Sequence, residues 1–431
     1  MLRVLTQPRE TGSSRVWVAI VAAVLLAMPI LVSRAAAQSA VSLRQMLADV
    51  RAQSPSLAAA RARVTAARRA WDATGRPPDP MLSVELGRLG FMAGGEDPML
   101  IYTLEQPIPI PGTLGMQERV AARGRDRADA DLTTVQRDLE AAAARAYVML
   151  WRAQGELSVL ESQRRLLEDL AAAALARMAS GADTHHDVIQ SQVEALALQN
   201  LQTRVAAEQT GAVAMLNALR NRPSSETIVA AEPFPEADFS GSVSTLEQEA
   251  LRRRPELRSM SAMGAEERAM AALMRREGWP MVSVGAFYTQ DLEMPDTIGF
   301  MLRGTLPVFG ASRQASKAAE AEARASAVDS DRTAMGLMIR AELRSAYAVH
   351  RAADERVSLL QDVALPRAEQ ALAQAQSSYR TAMMPFASVI QDQRMLTELR
   401  MDLITAQAER LEAYITLVRA LGRDMSTAVK P

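Results

Sequence analysis

The chain has no cysteine among its 431 residues, which excludes disulfide scaffolds, thiolate metal centres and cysteine nucleophiles. Histidine is nearly as scarce. His185 and His186 are adjacent and His350 is remote, so neither an H-E-x-x-H pattern nor a three-histidine cluster is available. Charge of one sign is missing too: 49 Lys plus Arg stand against 50 Asp plus Glu, and a nucleic-acid partner bound through bulk charge is excluded. No G-x-x-x-x-G-K-[ST] occurs, so the chain shows no nucleotide loop of its own. No local pattern sets a Ser nucleophile beside a base, and neither enzyme activity nor a cofactor is expected.

Long apolar runs are confined to the start. A basic stretch with Arg3, Arg9 and Arg15, an apolar run from Val16 to Val32 and the small residues Ala35, Ala36 and Ala37 read as a signal peptide over 1–37. A retained anchor fits less well, because the run falls short of the ~20 residues a spanning helix needs. Without a cysteine at the cleavage region the mature protein is not expected to be a lipoprotein. After Val32 no second such run follows, so any integral membrane contact has to come from strands.

What the mature chain has is a repeat at an offset near 200 residues. Pro55-Ser56-Leu57 recurs as Pro255-Glu256-Leu257, Pro80 as Pro280, Tyr147 as Tyr347, and Val188-Ile189-Gln190 as Val389-Ile390-Gln391. The first repeat spans 38–222, with a helix over 42–75, strands within 80–111 and helices over 113–180 and 184–220. A linker over 223–243, marked by Pro223, Pro233 and Pro235, leads to the second repeat at 244–422. There the helix covers 244–277, strands lie within 281–309, and helices cover 311–380 and 385–421, before a tail at 423–431. No proline interrupts the chain between Pro111 and Pro223, and Pro366 is expected to bend or loosen the helix it enters. A helix over 113–180 would reach roughly 100 Å at 1.5 Å per residue. The two shorter helices of each repeat can run back along it end to end. Leu160, Leu167, Leu170 and Leu175 supply coiled-coil-like spacing for that pairing.

The inserts between the helices alternate with period two. Leu82, Val84 and Leu86 interleave with Ser83, Glu85 and Gly87, and Leu100, Tyr102 and Leu104 with Ile101, Thr103 and Glu105. In the second copy Val282, Val284, Ala286 and Tyr288 interleave with Ser283, Gly285 and Thr289, and Ile298, Phe300 and Leu302 with Gly299 and Arg303. Strands of about 10 residues suit a tilted bilayer crossing. Phe91, Tyr102, Trp279, Phe287, Tyr288, Phe300 and Phe309 concentrate the chain's few aromatics in these windows, as interface girdles would. Four strands are too few to close a barrel, and an open edge in lipid leaves polar backbone groups unpaired, so closure needs further subunits. A soluble β-core would also alternate.

Several motifs carry a resemblance to a known family. Pro78-Asp79-Pro80 precedes the first strand, and Leu104-Glu105-Gln106-Pro107-Ile108-Pro109-Ile110-Pro111-Gly112 leads back to helix. Arg177-Met178-Ala179-Ser180-Gly181 marks one turnover; Tyr379-Arg380-Thr381-Ala382 and Val389-Ile390-Gln391-Asp392-Gln393-Arg394 mark the other. In this order the chain resembles the TolC-like outer-membrane efflux protein family, and within it the heavy-metal branch of cobalt-zinc-cadmium and copper-silver type. The resemblance implies a mixed α/β fold: a homotrimer with a 12-stranded outer-membrane β-barrel continued by a long periplasmic α-helical barrel. It implies a passive conduit driven by an inner-membrane RND pump through a periplasmic adaptor, with outer-membrane lipid around the barrel. Arg177, Ser180, Gly181, Tyr379, Thr381, Ala382, Met383 and Met384 are the expected adaptor-contact tips. Asp187, Ser388, Gln391 and Asp392 stand near the aperture, although Ser388 and Gln391 replace the acidic pair of related channels. His185, His186, Met383 and Met384 are the weak metal-ligand candidates; methionine also fills uneven helix contacts. Organic-solute efflux, protein secretion and a soluble coiled-coil adaptor are the competing readings.

Overall fold

The computed structural model describes residues 40–88, 98–179, 185–231, 233, 239, 242–290, 295–381 and 383–428, and the chain from Val41 onward forms one compact unit. The proposed leader over 1–37 and Phe91 lie outside the described residues.

Each repeat opens with a capped helix that breaks at a proline. Helices α1 (Leu43–Gln53) and α2 (Pro55–Ala73) meet at Ser54, and α5 (Val243–Arg253) and α6 (Pro255–Arg276) meet at Arg254. The single helices expected over 42–75 and 244–277 are therefore each two. The cause is local: a residue before proline is driven out of the α region, and Ser54 (φ −62°, ψ 123°) and Arg254 (φ −61°, ψ 119°) both adopt extended backbone. The caps repeat as well, since Ser42 and Ser242 share φ −76° and ψ 155° and each accepts a hydrogen bond from the backbone N–H three residues on.

Helix α3 (Thr113–Ala179) runs unbroken for 67 residues, and α4 (His185–Leu219) returns along it while α2 flanks its other part. In the second copy α7 (Gly310–Leu359) passes through a π-helical turn at Leu360–Ala364 into α8 (Leu365–Arg380), and α9 (Phe386–Ala420) returns along both. The helix expected over 311–380 is thus interrupted one turn before Pro366. Proline has no N–H to donate and its ring crowds the carbonyl four residues back; the wider turn, in which the Leu365 N–H donates to the Leu360 carbonyl, accommodates it.

Strands β1 (Met81–Arg88), β2 (Pro98–Ile108), β3 (Val282–Gln290) and β4 (Thr297–Gly304) form one antiparallel sheet in that order. The two repeats join between β2 and β3, where Tyr102 pairs with Tyr288 and Leu104 with Ala286. β4 stops at Gly304, short of the expected 309; Leu306, Val308 and Phe309 lie beyond it, more than three-quarters exposed.

The main core is where the helices of both repeats converge. Tyr147 and Tyr414 are fully buried there, with the Tyr414 hydroxyl donating to the Ala428 carbonyl at 2.7 Å. Burial pushes the Tyr147 hydroxyl up to about 12. The linker is tied down by a parallel bridge between Val41 and Ala230. The tail also docks: α10 (Met425–Ala428) buries Met425, and Asp424 is paired with Arg51 and Arg137, the latter at 2.8 Å.

Candidate functional site

The sheet is inverted relative to a soluble one. On one face the register aligns Leu82 with Leu104, Val84 with Tyr102, Ala286 with Phe300 and Val284 with Leu302. These side chains are open to the surroundings, reaching 70% for Leu82, 75% for Leu302 and 87% for Phe300. The opposite face carries Ser83, Glu85, Thr103, Glu105, Thr289 and Arg303, and it encloses a concavity of about 780 Å³. Thr103 and Glu105 are buried on it. Glu105 accepts from the Ser283 hydroxyl at 2.6 Å and pairs with Arg303 at 3.0 Å. Phe287 lies on the same face over Gly299, where a Cβ would collide with the ring. Apolar groups turned outward and hydrogen-bonded charges turned inward suit an apolar medium outside and water inside. Among the described residues no helix is long and apolar enough to cross a membrane.

The helix turnovers are the second feature. Ser180, Gly181 and Ala382 lie outside the described residues, as do the side chains of Arg177 and Asp187. Thr381 is exposed, and its hydroxyl donates to the Ser378 carbonyl at 3.0 Å. Met383 is 79% exposed, whereas Met384 and Phe386 pack onto a cluster with Leu372, Val389 and Ile390. Tyr379, expected at an outward contact, is instead 5% exposed with its ring 5.6 Å from that of Phe386. It fixes the base of the turn, and Met383 is the apolar group left outside. His185 and His186 are exposed on the first turn of α4, and His350 lies far along α7 against Phe239 and Tyr414. Among the described residues no three His, Asp or Glu side chains group as a metal site. Ser388 and Asp392 are half-buried and Gln391 is exposed; Asp392 makes no ion pair among the described residues.

Sequence reasoning missed the polar seam roughly two to four turns above the turnovers. There Gln393 donates to Gln163, and Arg394 makes a two-point pair with Glu194, one bond of it 2.8 Å long. The signal was present as polar residues in otherwise apolar stripes of α3, α4 and α9.

The model of the family described as "Outer membrane efflux protein" matches residues 46–222 and again 246–423. The chain belongs to the outer membrane efflux protein family. The double match follows the internal duplication, and it makes the inverted sheet of this efflux protein its outer-membrane part, with the helices extending into the periplasm. Solved structures agree on the fold. The outer-membrane channel OprN superposes with a TM-score of 0.77 at 19% identity, covering 89% of this chain and 90% of that one. CusC gives 0.76 at 16%, covering 89% and 92%. The open-state MtrE outer membrane channel of Neisseria gonorrhoeae gives 0.75 at 17%, covering 88% and 89%. No individual curated protein matches the efflux protein by sequence. Membership places it among passive channels rather than enzymes.

Proposed function

We propose that three copies of this chain close one 12-stranded barrel in the outer membrane and continue it as a periplasmic helical tunnel. The observation that carries this is the sheet: an exposed apolar face with two unpaired edges, β1 and β4, in each chain. An edge left open in lipid costs several kcal/mol per unpaired backbone group, and pairing β4 of one chain with β1 of the next removes every edge. The helices offer matching surfaces. Ile189, Val193 and Leu196 form an exposed stripe on α4 at spacings of four and three, and α7 exposes Leu337, Met338 and Val349.

The cargo is read as heavy-metal cations, delivered by an inner-membrane RND pump through a periplasmic adaptor after export of the chain by its leader over 1–37. Support comes from the branch resemblance of the turnover and strand-return motifs, not from a ligand set. The turnovers, with Met383 outermost, are the proposed adaptor contact, and Asp392 is the proposed lumen-facing carboxylate near the aperture. The test is deletion of the gene followed by growth on zinc, cobalt, cadmium, copper, silver and hydrophobic drugs. Metal sensitivity restored by the wild-type chain supports the cargo assignment; sensitivity to drugs alone overturns it in favour of organic-solute efflux.

A further inference from the structure

Just above the turnovers, α3, α4 and α9 diverge around a cavity of about 300 Å³. Its walls are apolar, with Leu167 from α3, Leu198 and Leu201 from α4 and Ile390 from α9. Set into them is an unequal inventory of polar groups. Gln393 is 3% exposed and spends its amide N–H on Gln163, which leaves its Oε1 buried without a partner. Glu194 is buried and neutralised by Arg394. Glu398, exposed at the edge of the same lining, makes no hydrogen bond or ion pair among the described residues.

We propose that this cavity binds a small organic monocation with an apolar body, such as an arylalkyl ammonium. The groups left over are acceptors, the buried Gln393 amide oxygen and the solvent-exposed Glu398 carboxylate at the mouth, and the charges sum to one negative after the Glu194 and Arg394 pair cancels. A buried acceptor without a donor costs about 1–3 kcal/mol, so a ligand N–H that reaches Gln393 recovers an existing penalty. The apolar walls accept a ring and the carboxylate sets the sign of the charge. A hard divalent metal is disfavoured, because it asks for six or more oxygens and the cavity offers one carboxylate and one free amide oxygen. The site joins α4 of the first repeat to α9 of the second within the tunnel wall, and it stands whether the cargo is a metal or a drug.

The test is calorimetric titration of the full-length protein in detergent with 2-naphthylmethylammonium, against uncharged 2-naphthylmethanol and anionic 2-naphthylacetate. The expected result is saturable binding of one ammonium per chain, at least tenfold weaker for the alcohol and absent for the carboxylate. Glu398→Gln, a conservative change at an exposed position, should weaken the ammonium at least tenfold, and Leu201→Trp, which fills the cavity, should abolish it. Circular dichroism checks that both variants keep the helical signal. Absence of saturable binding, equal affinity for ammonium and carboxylate, or binding unchanged in Glu398→Gln would each overturn the proposal, leaving the cavity to solvent.

Discussion

Asp424 shows how single residues lock the two repeats together. It sits in the tail yet bonds Arg51 of α1 and Arg137 of α3, while Glu140, almost fully buried, takes Arg51 at 2.7 Å and Arg137 at 3.1 Å. Burial pushes the Asp424 carboxyl up, but hydrogen bonds from Ser426 and Arg137 together with the Arg137 charge outweigh it and hold the group at about 2. A carboxyl lowered in the folded state contributes stability that is fully present above its unfolded value near 3.8 and is lost as pH falls toward 2. Discounted for partial exposure, the contribution is roughly 1 kcal/mol. Thermal melts of the helical part should show Asp424→Asn less stable than wild type at pH 7, with the gap closing between pH 4 and 2, all three being choices of assay condition around that pKa (~2). Gly422 is a second such residue. At φ +69° it turns the chain after α9, and a Cβ there would stand 3.1 Å from the Arg253 carbonyl carbon. Left-handed backbone alone costs a non-glycine residue about 1–2 kcal/mol, so Gly422→Ala should lower the melting temperature by at least a few degrees; an unchanged melt would contradict this.

At the scale of elements, period and face decide function. Phe300 and Met301 are neighbours on β4 whose side chains leave opposite faces of the sheet. Arginine at the outward position should cost about 2–4 kcal/mol if it sits near the bilayer midplane, and much less at the inward one. Folded protein recovered from outer membranes should therefore fall strongly in Phe300→Arg and little in Met301→Arg; equal losses would mean that the outward face is not in lipid. This inversion was legible in the sequence as alternation, because the strand period is two whichever side is wet. Alternation by itself could not say which side, and the exposure of Leu82, Phe300 and Leu302 supplies that. The breaks at Ser54 and Arg254 were less legible. Proline is tolerated in the first turn of a helix, so Pro55 and Pro255 read equally well as interior to one helix start or as the opening of a second. Pro366 was legible as a disturbance, but the choice of a π turn over a kink depends on packing against α7 and α9. The turnover residues divided for a related reason: Tyr379 reads as a contact residue as readily as Met383 does, and only the packing of its ring against Phe386 turns it inward.

For the whole molecule, an offset of 200 residues written into caps, proline breaks and strands builds two similar halves that share one sheet and one core. The repeat was readable from separated landmarks, whereas the polar seam of Gln163, Glu194, Gln393 and Arg394 arises only when three helices from both halves meet. In the proposed trimer the exposed apolar groups on α4 and α7 are the surfaces that meet another copy. Leu196→Arg, at a position 64% exposed in one chain, should leave that chain folded but lower the yield of assembled channel severalfold in native gels; an undiminished yield would remove α4 from the interface. The central claim is that the sheet becomes a closed, lipid-facing cylinder only when three chains meet. Electron cryo-microscopy of the full-length protein extracted in detergent tests it most directly. The account predicts a threefold particle with one barrel of twelve strands, β4 of each chain paired to β1 of the next; a water-soluble monomer with its four strands covered by its own helices would contradict it.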